Sequence, residues 1–393
     1  MTLACVVHRY GTDFAGGSEA HCRHIAERLA ATHDVTVLTT CARDHITWRN
    51  EYPAGTSMLN GVRVIRFPVA RQRSLHRFHD ASEIAFSGAA SVADQQAWFL
   101  ENGPESPALV EYLRTDGARF DRVLFWAFRY CEVYQGLPLV ASRSILVPTA
   151  EEDPLIRMEI VGPWLDQAEG FIFLTPEEQR LVERRLSRTP PPSCVIGSGL
   201  EPAGVAERGA LGALPVADPF VLYLGRVDPN KGCETLVRHF ERFAREHDTP
   251  VSLVMAGPVN MPLPDHPRIV RLGYVGEAVR EALLAQAVAL VVPSKYESLS
   301  LVLLEGWNRG LPALVNGHCS VLKGQARRAN GALYYHNYDE FARAVEYLLE
   351  HRDAARQLGQ QGRDYVEREY RWPVVMAKIE ALLKQVSRSE YGR

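Results

Sequence analysis

The chain has 393 residues, 46% hydrophobic and 23% charged, with 44 basic against 47 acidic side chains and a formal net charge of −3. That length exceeds one ordinary hydrophobic core and calls for two domains, and the near balance of charge argues against a nucleic-acid partner. Seven scattered cysteines without a C-x-x-C pair argue against a zinc site or a disulfide framework and suit a reducing cytoplasm.

The elements follow in order. "LACVV" (Leu3–Val7) reads as a buried strand whose apolar run is too short for a signal peptide. A loop with Gly16 and Gly17 follows, then a helix over Ser18–Ala31 and a strand in "DVTVLTT". This β-loop-α-β order is the doubly wound pattern. "VRVIRFPV", "DRVLFWAF", "RSILVP" and "GFIFLT" continue the strand series to about residue 175. A Pro- and Gly-rich stretch over 187–219, with a strand at Ser193–Ile196, reads as the interdomain connection. The pattern then restarts with "PFVLYLGRV", "VSLVMAG", "RIVRLGYV", "VALVVPS" and "PALVN" as strands and helical stretches between them. The expected domains are residues 1–190 and 191–372, with a C-terminal helix at about 373–393 packing back onto the first. Two Rossmann-like halves are expected to face a central cleft, where open α/β sheets bind ligands. No apolar run approaches the ~18 residues of a membrane span, so the expected location is cytoplasmic.

Three stretches carry candidate chemistry. In "GTDFAGGSEAH", Gly16 and Gly17 sit between a strand and a helix, where backbone N–H groups can approach an anion. The same pair fits a plain turn with a capping serine. In "YLGRVDPNKGCETL", Arg226 and Lys231 flank a turn at a strand's carboxyl end, a place suited to a diphosphate or to two solvated charges. In "PSKYESLSLVLLEGW", Glu297 and Glu305 bracket a helix start whose amides near Leu301 and Val302 suit phosphate oxygens. Carboxylates there repel phosphate and suit neutral hydroxyls, a sugar on one side and a ribose on the other. Glu305 lies among Leu303, Leu304 and Trp307, so it needs hydrogen-bond donors to be tolerated.

Together these stretches resemble the retaining glycosyltransferases of family 4, in their bacterial group 1 branch, across nearly the whole chain. The E-x7-E motif at Glu297 and Glu305 carries most of the resemblance, followed by the Arg226/Lys231 pair and Gly16-Gly17. "SVLKGQARRANGALYY" also looks like that branch. The resemblance implies an α/β GT-B fold and transfer of a hexose, with retention, from a GDP- or UDP-sugar to a hydroxyl acceptor. Gly16, Gly17, Leu301 and Val302 would contact the donor through backbone amides. Arg226 and Lys231 would neutralise the leaving diphosphate, Glu297 would hold the sugar, and Glu305 the ribose. No metal or other cofactor is expected, and the sequence has no Asp-x-Asp. One departure stands out: in "PTAEEDP", Glu151 occupies the place of the family's usual histidine. It can accept a sugar hydroxyl or an acceptor proton, repel phosphates, mark a different donor, or simply be solvated. The alternatives are a nucleotide-sugar-binding module and an epimerase of the same fold. Tyr130 and Tyr134 are acceptor-site candidates, aromatics that can stack on a sugar or fill the core. The basic "RQRSLHRFH" (Arg71–His79) is a candidate for peripheral contact with the inner face of the membrane, or a loop of solvated charges. Polysaccharide biosynthesis is the expected setting.

Overall fold

The computed structural model describes residues 1–13, 17–204, 210–212, 214–216 and 219–390. The chain forms two compact units, Met1–Gly197 with Met376–Arg393, and Ser198–Val375.

The first unit is built on an eight-stranded sheet: β1 (Thr2–Val6), β2 (Asp34–Thr40), β3 (Gly55–Leu59), β4 (Val62–Phe67), β5 (Arg122–Trp126), β6 (Ser144–Val147), β7 (Gly170–Phe173) and β8 (Ser193–Val195). Their spatial order is β3-β4-β2-β1-β5-β6-β7-β8. All pairs are parallel except the β3–β4 hairpin, which turns through Asn60 and Gly61 at φ of 48° and 82°. An Asn-Gly pair supplies the two positive φ values that a tight hairpin needs. Because β8 pairs with β7, residues 193–195 belong to this sheet and the unit ends at Gly197, beyond the expected boundary at 190. The helix Trp372–Glu390 contributes its later part to this unit. There Ile379, Leu382, Leu383 and Val386 are buried, and Glu380 bonds His33 at 2.9 Å.

The second unit has a six-stranded, all-parallel sheet: β9 (Phe220–Leu224), β10 (Ser252–Ala256), β11 (Ile269–Gly273), β12 (Ala289–Val292), β13 (Ala313–Asn316) and β14 (Ala332–Tyr335), in the order β11-β10-β9-β12-β13-β14. In helix Cys233–Glu246 the buried residues are Cys233, Leu236, Val237, Phe240 and Phe243, the spacing of one helical stripe. Helix Arg352–Glu369 approaches the end of Leu301–Asn308 so closely that a Cβ on Gly362 would lie 2.3 Å from Trp307, and one on Gly359 1.9 Å from the Gly310 carbonyl.

Each sheet reverses its strand order once. In the first unit β1 lies between β2 and β5, and in the second β9 lies between β10 and β12. Such a switch point leaves the loops at the carboxyl ends of the two central strands diverging to opposite faces, which opens a crevice for ligands.

Candidate active site

The second unit places Arg226, Lys231 and Glu297 at its switch point. Arg226 follows β9, and Tyr223 donates its hydroxyl to the Arg226 carbonyl at 2.5 Å. Asp228 caps the next turn by accepting the Asn230 amide at 2.9 Å, and lies 3.5 Å from Arg226 Nε. Gly232 then takes φ of 76°, and a Cβ there would sit 2.2 Å from the Pro293 carbonyl at the end of β12. Only glycine allows that approach. It brings Lys231 Nζ to 2.9 Å from Glu297 Oε1, with the Glu297 side chain 12% exposed. Residues 66 apart in sequence thus share one charged contact.

Helix Leu301–Asn308 begins beside this pair. Ser300 has extended backbone and caps no amide with its side chain, and its buried hydroxyl has no partner. The first intrahelical bond runs from the Leu304 amide to the Ser300 carbonyl, so the amides of Leu301 and Val302 precede it and have no acceptor within the helix. Glu305 lies one turn on. The donor that its apolar setting demands is Arg280, with Nη2 at 2.5 Å. Arg280 also meets Glu277 and Glu281 at 3.0 and 2.9 Å, and Glu281 pairs with Arg309. Burial pushes the Glu305 carboxyl above its ordinary range, and the Arg280 charge opposes that shift without cancelling it. Arg280 escaped the sequence reading because it sits on a separate helix, Glu277–Gln286, with no motif to mark it.

In the first unit, Gly16 lies outside the described residues. Gly17 opens helix Gly17–Leu29 with φ of 76°. From its first turn Glu19 accepts from His8 Nε2 at 2.8 Å and from Arg9. Burial opposes ionisation of Glu19, but His8 and Arg9 outweigh it and hold the carboxyl well below its usual range. His8 is itself lowered, by burial first, despite Glu19. Its ring lies 3.8 Å from that of Tyr130 and 5.8 Å from that of Trp48. Tyr130 follows β5, so this group occupies the switch point of the first sheet. Burial raises the Tyr130 hydroxyl to about 12, keeping it a neutral donor. His8 and Trp48 were missed; a histidine two residues past the end of the first strand was the available signal.

Tyr134 does not join this group. It stacks on Phe99 at 4.1 Å and 9°, with Trp164 at 6.0 Å, so its ring serves the core.

Glu151 follows β6 and lies 3.6 Å from Arg129, which also meets Asp153 at 2.8 Å. The turn is anchored by Glu178, whose two oxygens accept the Ala150 amide at 2.7 Å and the Leu174 amide at 2.6 Å. Burial raises Glu178 to about 8 against those hydrogen bonds. Glu152 is exposed, 4.0 Å from Arg157.

The stretch Arg71–His79, a candidate for membrane contact or a loop of solvated charges, divides into packed and exposed cations. Arg71 meets Glu101 and Glu105 at 3.0 Å. Arg73 donates to Asn102 and the His45 carbonyl, with its guanidinium over Trp48 and Phe78. Both are internal struts; His76, Arg77 and His79 are exposed. No helix among the described residues is long and apolar enough to cross a membrane.

Comparisons with known proteins bear on the fold and on the broad class of enzyme. Residues 212–365 match the sequence model of the family described as glycosyl transferases group 1. Glycogen synthase of Mycobacterium tuberculosis is 25% identical over 99% of this chain and 96% of its own length. Sucrose-phosphate synthase of Thermosynechococcus elongatus superposes with a TM-score of 0.72 at 19% identity, covering 99% of each chain. An E. coli trehalose-6-phosphate structure bound with UDP-2-fluoro glucose superposes with a TM-score of 0.71 at 12% identity, covering 98% of this chain and 99% of that one. The structural likeness establishes the GT-B fold, and the sequence matches support a group 1 glycosyltransferase.

Proposed function

We propose that this protein transfers a hexose from a GDP- or UDP-sugar to a hydroxyl acceptor, with retention and without a metal ion. The observation that carries the reading is the junction of Lys231 with Glu297 at 2.9 Å beside a helix start. A diphosphate arriving there meets the Leu301 and Val302 amides and the cations Arg226 and Lys231. It takes over Lys231 as a counter-charge and frees Glu297 to accept hydroxyls of the transferred sugar. As the anomeric C–O bond breaks, negative charge grows on the departing diphosphate and positive charge on the sugar ring. Cations and amides already in place stabilise the first without reorganising. Glu305, held by Arg280, is the acceptor for the ribose hydroxyls.

In the first unit, Tyr130 on its His8–Glu19 support is the candidate for contact with the acceptor. Glu151, steadied by Arg129, is the candidate carboxylate near the reacting sugar. UDP-2-fluoro glucose in the E. coli relative supports a UDP-sugar first. The deciding experiment is a thermal-shift panel of UDP, GDP, ADP and dTDP with and without EDTA, on wild type and Glu305→Ala. One nucleotide should raise the Tm, insensitive to EDTA, with the shift lost in the variant. Slow hydrolysis of the matching nucleotide-sugar should follow, with Lys231→Ala lowering kcat by roughly 100-fold or more. If no nucleotide shifts the Tm, the donor-site reading fails. Binding without turnover marks a binding module instead, and a changed sugar nucleotide without acceptor marks an epimerase.

A further inference from the structure

Three elements of the second unit bring basic and aromatic side chains together at the carboxyl ends of β13 and β14. His318 follows β13, Lys323 stands on helix Ser320–Ala329, and Tyr334 and His336 lie at the end of β14. The arrangement is ordered by a carboxylate at its back. Glu340 Oε2 accepts the His336 amide at 2.8 Å and lies 3.0 Å from His336 Nδ1. That contact assigns the proton to Nδ1 and leaves Nε2 as an acceptor, to which Lys323 Nζ donates at 3.4 Å. His318 Nε2 lies 2.9 Å from the His336 carbonyl, and the two rings meet edge to face at 5.1 Å. Gly317 lets the His336 ring lie against the backbone, since a Cβ there would come within 2.7 Å of Nε2.

The charge of Lys323 is left without a counter-ion. Its contacts are a neutral imidazole nitrogen and the face of Tyr334, 5.0 Å away; among the described residues it forms no ion pair. Two of its N–H groups therefore have no assigned acceptor, on a half-buried side chain. The cations at the candidate donor site differ: Lys231 and Arg280 each already meet a carboxylate. Asn316 ties the cluster to the segment leading to Glu297. Its Nδ2 donates to the Pro293 and Ser294 carbonyls at 3.2 and 3.3 Å, while its Oδ1 accepts the His318 amide at 3.0 Å.

We propose that Lys323 binds an oxyanion, a carboxylate or a phosphate monoester, through its two remaining N–H groups, with the His318 and His336 rings as walls of the site. β13 and β14 lie one and two strands from β12, so the site stands roughly 5–10 Å along the sheet edge from the segment that carries Glu297. That is the reach of a charged substituent on a sugar held by Glu297. This identity of the carrier rests on the donor-site reading, whereas binding of the anion does not.

The test follows the imidazole NMR signals of His318 and His336 in the full chain, assigned with H318Q and H336Q. The probes are inorganic phosphate and glucuronate, with glucose as the neutral control, at constant ionic strength. Phosphate or glucuronate should shift both signals saturably, glucose should not, and Lys323→Met should weaken the binding by about tenfold or more. H318Q, which leaves Lys323 in place, should weaken it less. Whichever anion saturates at lower concentration identifies the class. Shifts that never saturate, or that persist unchanged in Lys323→Met, overturn the proposal. Repeating the nucleotide thermal shift on Lys323→Met separates the two readings: phosphate binding lost with the nucleotide shift retained places the anion site apart from the diphosphate site.

Discussion

Glu132 shows how much one buried group can decide. It is fully buried behind Tyr130, and neither carboxylate oxygen has a hydrogen-bond partner. Burial raises its folded-state pKa well above the ordinary value, so the folded protein holds a proton that the unfolded chain releases. Stability from this group is therefore fully present below the unfolded carboxyl pKa and falls as pH rises toward the folded value. Glu132→Leu should stabilise the protein at pH 8 by about 1–3 kcal/mol. The gain should shrink toward pH 4, as read from urea unfolding at both pH values. Equal gains at both would sink the argument. Glu305 behaves in the same sense but with a partner, and Arg280→Met removes that partner. The variant should raise the KM for the nucleotide-sugar more steeply as pH falls, because a protonated Glu305 accepts ribose hydroxyls less well. A KM with an unchanged pH profile would show that Arg280 only packs.

At the scale of elements, close approach matters more than propensity. Gly232 lets the turn after β9 touch the end of β12, and this contact, not either segment alone, brings Lys231 to Glu297. Gly232→Ala would force a side chain into the Pro293 carbonyl at a left-handed backbone position. It should cost about 1–3 kcal/mol of stability and weaken nucleotide binding at the same time. A variant with normal nucleotide affinity would show that the turn does not set the site. The alternation of strands and helices was legible because apolar runs and helical stripes alternate along the chain. The β3 strand was not read, although Asn60-Gly61 marks its hairpin, because "GTSML" is nearly all exposed and lacks a buried face to give it a pattern. Tyr134 stayed open between ligand and core for the opposite reason: an aromatic residue beside a strand end looks the same in sequence whether it stacks on a ligand or on Phe99.

For the whole molecule, the chain's return to its first unit sets a distinct dependence. The four buried apolar side chains between Ile379 and Val386 are together worth roughly 6–12 kcal/mol of burial, comparable to the total stability of a typical domain. Ending the chain at Val375 should abolish or lower the thermal transition of the first unit while leaving that of Ser198–Val375 in place. Calorimetry of the truncated and full chains reads this directly. Two unchanged transitions would show that the last helix contributes little.

The sequence by itself determined the two doubly wound units, their strand-helix alternation and the residue types of the candidate site, because local periodicity and short motifs encode them. Glu297, Glu305, Arg226 and Lys231 were legible as candidates for that reason. Their partners were not. Which carboxylate faces Lys231, which arginine holds Glu305, and that His8 and Glu19 support Tyr130 depend on strand order and on glycines that let separate turns touch. Contacts between groups far apart in the chain leave no local period to read, so only the tertiary structure decided them.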